Sequence, residues 1–247
     1  MYIIIGTVNL LVGVMIGICG IAGFLLPMLY SSILAFAVSD SLALSFFAFL
    51  ISGLIGSFNF YKKGNLDLNF SINIGLGSII GALIGVQLNS FIPTTSAKLI
   101  LNLVVLLSGL VILFRKNEEK EMKSQLLSSR VFIFLLGVLT AIICALSGAG
   151  GPVLVMPLLV GLGIRVHKAI GIALFDSVFI AVPAFVGYFS AREMELLYLL
   201  ILVAITHGVG VLLGSWNAHK INAKPLKTGV AIFSVLIALY MIGDLLN

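Results

Sequence analysis

The chain has 247 residues, of which 61% are hydrophobic and 9% charged, with a formal net charge of +5. A water-soluble domain carries nearer ~25% charged residues, so this composition excludes one. The basic excess sits in loops between apolar stretches instead of along one face, which argues against a nucleic-acid surface and for orientation in a bilayer.

Hydropathy and helix breakers predict helices near 2–19, 24–38, 40–60, 70–91 and 97–114, a charged connector from Arg115 to Arg130, then helices near 131–147, 152–164, 168–190, 195–218 and 226–245. The opening stretch lacks a basic n-region and a small-residue cleavage site, so it reads as a retained first helix. The segments at 24–38 and 152–164 span only roughly 20 Å at 1.5 Å per residue, short of a ~30 Å hydrocarbon core. They are half-helices or re-entrant segments, each following a glycine-rich bend.

The two halves match at an offset of about 129 to 130. Gly20-Ile21-Ala22-Gly23 followed by Pro27 parallels Gly148-Ala149-Gly150-Gly151 followed by Pro157. Ser41–Leu44 parallels Gly171–Leu174, Gly81–Gly85 parallels Gly210–Gly214, and Lys98 parallels Lys227. If the short segments count as crossings and the connector faces the cytoplasm, 12 of the 14 Lys and Arg residues fall inside, leaving Lys98 and Arg192 outside. If they turn back, the split degrades to 8 against 6. An odd number of crossings per half inverts the second repeat. The expected fold is therefore an all-α polytopic membrane protein of about ten helical segments in two five-segment inverted repeats. Residues 1–114 form the first repeat, 115–130 a cytoplasmic connector and 131–247 the second repeat, with both termini on the outer side of the cell (inner or plasma) membrane.

The second half carries Gly148-Ala149-Gly150-Gly151-Pro152-Val153-Leu154-Val155-Met156-Pro157, and the first half the shorter Cys19-Gly20-Ile21-Ala22-Gly23-Phe24-Leu25-Leu26-Pro27. Together with Tyr61-Lys62-Lys63-Gly64-Asn65-Leu66-Asp67 and Gly81–Gly85, these motifs resemble the sulfite exporter TauE/SafE family of membrane transporters over nearly the whole chain. The resemblance implies transport of sulfite, sulfonates or related small organic anions, usually described as export. It does not name the anion.

Backbone groups without partners cost several kcal/mol each in a membrane, so a broken helix belongs where it is buried in protein or lines a cavity. A helix start offers N–H groups at the positive end of a dipole, and glycine lets an oxyanion approach them. Gly20, Gly23, Pro27, Ser147, Gly148, Gly150, Gly151 and Pro157 are accordingly the candidate substrate-binding residues, with two helix starts meeting near the midplane. The competing reading is that these glycines only permit close helix packing.

Ionisable groups in apolar helices are the second signal, since each costs at least ~2.5 kcal/mol at the bilayer centre. Asp176, with Ser177 beside it as a hydrogen-bond partner, is a candidate for proton coupling, or else makes a packing hydrogen bond to a serine or backbone carbonyl. His207 is a candidate proton relay or a structural histidine. Asp40 reads as a helix N-cap. Cys19 and Cys144 read as small buried hydrophobes, and Glu118, Glu119 and Glu121 as part of a solvated linker.

The functional expectation is a secondary transporter of a small anion, by alternating access, with proton coupling as an option. A passive anion channel is the alternative. An intramembrane enzyme finds no HExxH or GxSxG motif to support it. No cofactor, metal or nucleic-acid partner is expected. The expected partners are the small anion and the lipid bilayer, and whether Gly77–Gly81–Gly85 and Gly210–Gly214 pack within one chain or between copies in a homo-oligomer is left open.

Overall fold

The computed structural model describes residues 1–20, 22–114, 125–189, 194–218 and 223–246. Glu118, Glu119 and Glu121 of the connector, and Arg192 and Lys220, lie outside the described residues. The regular structure of the described residues is helical: α1 (Tyr2–Cys19), α2 (Leu25–Met28), α3 (Val38–Lys62), α4 (Leu68–Phe91), α5 (Thr94–Phe114), α6 (Arg130–Ser147), α7 (Gly151–Gly161), α8 (Val166–Tyr188), α9 (Met194–Asn217) and α10 (Ala223–Leu246), with a short 3-10 turn at Gln125–Ser128. Among the described residues, α3, α4, α6, α8 and Leu197–Asn217 of α9 are long and apolar enough to cross a membrane. Their outward faces carry exposed Leu54, Phe58, Ile80, Leu135, Val186 and Ile205, as lipid contact requires.

Local chemistry sets most boundaries. The Asp67 carboxylate accepts from the Phe70 N–H at 3.2 Å and starts α4, and the Ser129 hydroxyl accepts from the Phe132 N–H at 3.3 Å and starts α6. Gly20 and Gly148, at φ 71 and 72, end α1 and α6 in the left-handed conformation that glycine adopts without penalty. Lys63, just past α3, donates to the Ser215 carbonyl at 2.8 Å in the last turn of α9, where a cation complements the helix dipole.

Two expectations need correction. The segment at 24–38 is not one short α-helix: the single turn α2 widens into a π-turn over Leu29–Ile33. Pro27 lacks an N–H, and the Ser31 hydroxyl donates to the Pro27 carbonyl at 2.7 Å, competing with the backbone ladder. Asp40 is not a cap. The N-cap of α3 is Ala37, with no side-chain bond, and Asp40 sits within the first turn, where the dipole still favours its charge.

The packing is built on pairs. α3 crosses α8 at the centre, α1 lies against α9 and α4 against α6, α3 also meets α9 as α4 meets α8, and α5 pairs with α10. Exchanging α1 with α6, α3 with α8, α4 with α9 and α5 with α10 returns the same set of pairings. The glycine rows explain the closest of them. A Cβ on Gly77 or Gly81 would collide with the Phe134 or Val138 carbonyl of α6, and one on Gly210 or Gly214 with the Leu10 or Val14 carbonyl of α1. These rows therefore serve packing within the chain.

Candidate functional site

A cavity of about 10 Å³ lies where the two bends converge, lined by Ile16, Gly20, Gly23, Phe49, Ser52, Gly150, Pro152, Val153 and Ser177. That is room for about one water, so no oxyanion fits until the walls move. Phe49 of α3 keeps it closed. A Cβ on Gly23 would stand 2.8 Å from its ring and one on Gly150 3.2 Å, so the ring is wedged between the two bends. It is held there by Phe46, edge to face at 5.8 Å, which in turn stacks on Tyr188 at 6.0 Å.

The second bend presents unpaired backbone. Gly150 is the extended N-cap of α7, and Pro152 occupies the first turn, where a missing N–H is harmless. The Ser147 hydroxyl caps the turn by accepting from the Ala149 N–H at 3.2 Å. The buried N–H groups of Gly150 and Gly151 make no hydrogen bond to a described residue. Such orphans are uncommon in a folded chain and unaffordable next to lipid unless something polar comes to them. Two hydroxyls stand close: Ser177 is 2.9 Å from where a Gly151 Cβ would lie, and both Ser177 and Ser52 line the cavity.

The first bend contributes differently. Gly20 and Gly23 form wall, Ile21 lies outside the described residues, and Ala22 adopts φ 98, a strained conformation for a residue with a side chain. Its helix is a single turn, too short for an N-terminal dipole of its own. Pro27, Ser147, Gly148, Gly151 and Pro157 are not lining residues. Pro27 packs under Gly148, the ring reaching 3.2 Å from where a Gly148 Cβ would lie, so the two bends brace each other.

The two buried titratable residues sit in unlike settings. His207 of α9 is fully buried, with Nε2 2.6 Å from the Ser52 hydroxyl and Nδ1 3.1 Å from the Asn9 carbonyl oxygen of α1. The Asn9 amide donates to the Tyr30 hydroxyl at 2.7 Å, which ties the π-turn to the same chain of polar groups. Asp176 is also fully buried, yet neither carboxyl oxygen has a hydrogen-bond partner among the described residues. The neighbouring Ser78 hydroxyl of α4 donates to the Gly137 carbonyl at 3.3 Å. Ser45, Thr140 and Ser177 bond carbonyls of their own helices. Ser52 and Phe49 were not visible as site residues in the sequence. Cys144 is a buried free thiol off the cavity wall.

The model of the family "Sulfite exporter TauE/SafE" matches residues 2–241. Among curated proteins, the chain is 23% identical to "Probable membrane transporter protein YdhB" of Bacillus subtilis, covering 95% of this chain and 98% of that protein. It is 24% identical to a "Probable membrane transporter protein" of Methanocaldococcus jannaschii, covering 95% and 91%. No solved structure matches the chain.

Proposed function

The chain belongs to the sulfite exporter TauE/SafE family of membrane transporters, and from that premise we propose that it carries a small oxyanion, sulfite or an organosulfonate, bound at the start of α7. The observation that carries this reading is the pair of unpartnered N–H groups of Gly150 and Gly151, at a helix N-terminus, beside a cavity into which both glycine bends lead. Backbone donors at the positive end of a helix satisfy an oxyanion without a buried cation. Ser52 and Ser177 line the cavity, and their hydroxyls, which here bond the Ala48 and Ala173 carbonyls, would turn to the anion to complete its shell.

The small cavity favours a carrier over an open pore, because a conducting pathway needs continuous room and this one has space for about one water. In the carrier reading, residues 1–114 and 131–247 are inverted repeats that rock about the α3–α8 crossing, with the connector cytoplasmic and both termini outside. The exchange symmetry of the helix pairings supports it. Export is the direction the family's name carries, and either Asp176 or His207 supplies a site for a coupled proton.

Binding tests the site directly. In detergent, titrating purified protein with sulfite should give a saturable calorimetric signal that Gly150→Leu removes while the circular dichroism spectrum stays helical. An undiminished signal in Gly150→Leu would contradict the assignment.

A further inference from the structure

Ser52 has one hydroxyl hydrogen and two acceptors within reach. Its Oγ lies 2.9 Å from the Ala48 carbonyl and 2.6 Å from His207 Nε2. On the other side of the ring, Nδ1 faces the Asn9 carbonyl oxygen, which has no hydrogen to give, so Nδ1 carries its N–H whatever the charge of the imidazole. Only Nε2 is free to change. In the neutral ring the Ser52 hydroxyl donates to Nε2. When a proton from water arrives at Nε2, the ring donates to Oγ and the hydroxyl hydrogen is released to the Ala48 carbonyl or, with an anion in the cavity, to the anion. One hydroxyl rotation accommodates the proton, and no heavy atom has to move.

Ser52 is also a wall of the anion cavity. A positive ring at His207 thus stands one hydroxyl away from the space where the anion binds. We propose that His207 is the residue that carries the coupled proton, and that Ser52 transmits its charge to the anion site, so that anion and proton bind together and cross in the same direction. The proposal rests on the anion site described above. The sign is fixed by electrostatics: an anion in the cavity favours the protonated ring, and by reciprocity the protonated ring favours the anion. A monovalent anion then crosses with no net charge.

The surroundings leave the charge on this ring to the anion. α9 packs against α1 and α3, and the groups that meet His207 from them are the neutral Asn9 and Ser52. The titratable and charged side chains tied into these contacts are Tyr30, which receives the Asn9 amide hydrogen, and Lys63, which reaches Ser215 about two turns along α9. Asp176 has no such link: its carboxyl oxygens bond nothing among the described residues, and it does not line the cavity.

The test uses purified full-length protein in liposomes with a trapped pH dye and methanesulfonate, a monoanion over the whole range from about pH 5 to 8, with sulfite run beside it. The wild type should take up one proton per methanesulfonate, and its apparent affinity should fall as pH rises, approaching tenfold per unit. His207→Gln should still exchange labelled anion for anion but move no protons and lose the pH dependence, whereas Asp176→Asn should keep both. Ser52→Ala, a smaller change, should flatten the pH dependence even if His207→Gln does not fold. Proton movement surviving in His207→Gln, or unaltered pH dependence in Ser52→Ala, would overturn the proposal. Anion flux without protons in the wild type would overturn it too, leaving the anion site standing. No flux of either anion in the wild type would remove the anion site itself and this proposal with it.

Discussion

Phe49 stands between Gly23 and Gly150, and the tolerance of each glycine for a methyl group is set by how far that ring can yield. Gly150→Ala, 3.2 Å from the ring, needs a shift of a few tenths of an ångström and should lower anion affinity at least about tenfold with little loss of stability. Adding Phe49→Leu, which trades the ring for a smaller apolar side chain, should recover most of that affinity. Calorimetric titration of the single and double variants checks the coupling, and additive effects would show that Phe49 is not the wall in question. Asp176 lends itself to a different substitution. An unpartnered charge at its depth costs several kcal/mol, so the neutral amide of the same shape should be tolerated. Asp176→Asn is expected to melt within a few degrees of the wild type near pH 7, and a collapse of its melting temperature would show that the carboxyl has a partner the amide cannot replace. Of the cavity wall, the glycines were legible in the sequence because a break in a membrane helix has so few permitted uses. Ser52 and Phe49 were not. α3 is apolar nearly all round, so periodicity does not say which face meets the cavity, and a serine bonded to its own helix looks like any other.

Helix positions followed from hydropathy because lipid leaves a backbone few alternatives, and the ends predicted for α1 and for α3 through α10 fall within about three residues of those observed. The π-turn after α2 was illegible, since it arises from competition for the Pro27 carbonyl by a serine that hydropathy does not distinguish. The glycine rows could be read in two ways, within or between chains, until the facing carbonyls were known. They now make a sharp prediction at the level of helix pairs. Gly81→Leu would drive a side chain into the Val138 carbonyl and Gly210→Leu into that of Leu10, each by far more than a rotamer change relieves. Each should cost about 3 kcal/mol or more, seen as a lower melting temperature in detergent and poor expression. Gly161→Leu, with nothing within 4 Å of its Cβ position, should match the wild type. Equal behaviour of all three would mean that α4–α6 and α1–α9 are not packed this closely.

At the scale of the whole molecule, the paired helices and the bends that brace each other surround one small cavity, the arrangement from which the carrier reading is proposed. Its basic residues predict its orientation: a cysteine introduced at Lys63 or Lys168 should be shielded from an impermeant maleimide added outside intact cells, and one at Lys98 labelled. The Lys168–Asp67 ion pair at 3.1 Å, partly exposed, marks the same predicted cytoplasmic edge and should matter little to stability. The substrate was not legible, because helix-start N–H groups accept sulfite, sulfonates and carboxylates alike. The most direct test of an anion carrier built on the glycine bends is accumulation of labelled sulfite or methanesulfonate against its own gradient in liposomes under an imposed pH difference. Uphill, saturable accumulation by the wild type that Gly150→Leu abolishes is the expected result. Flux that only ever runs downhill would contradict a coupled carrier, and accumulation undiminished in Gly150→Leu would place the anion somewhere other than the start of α7.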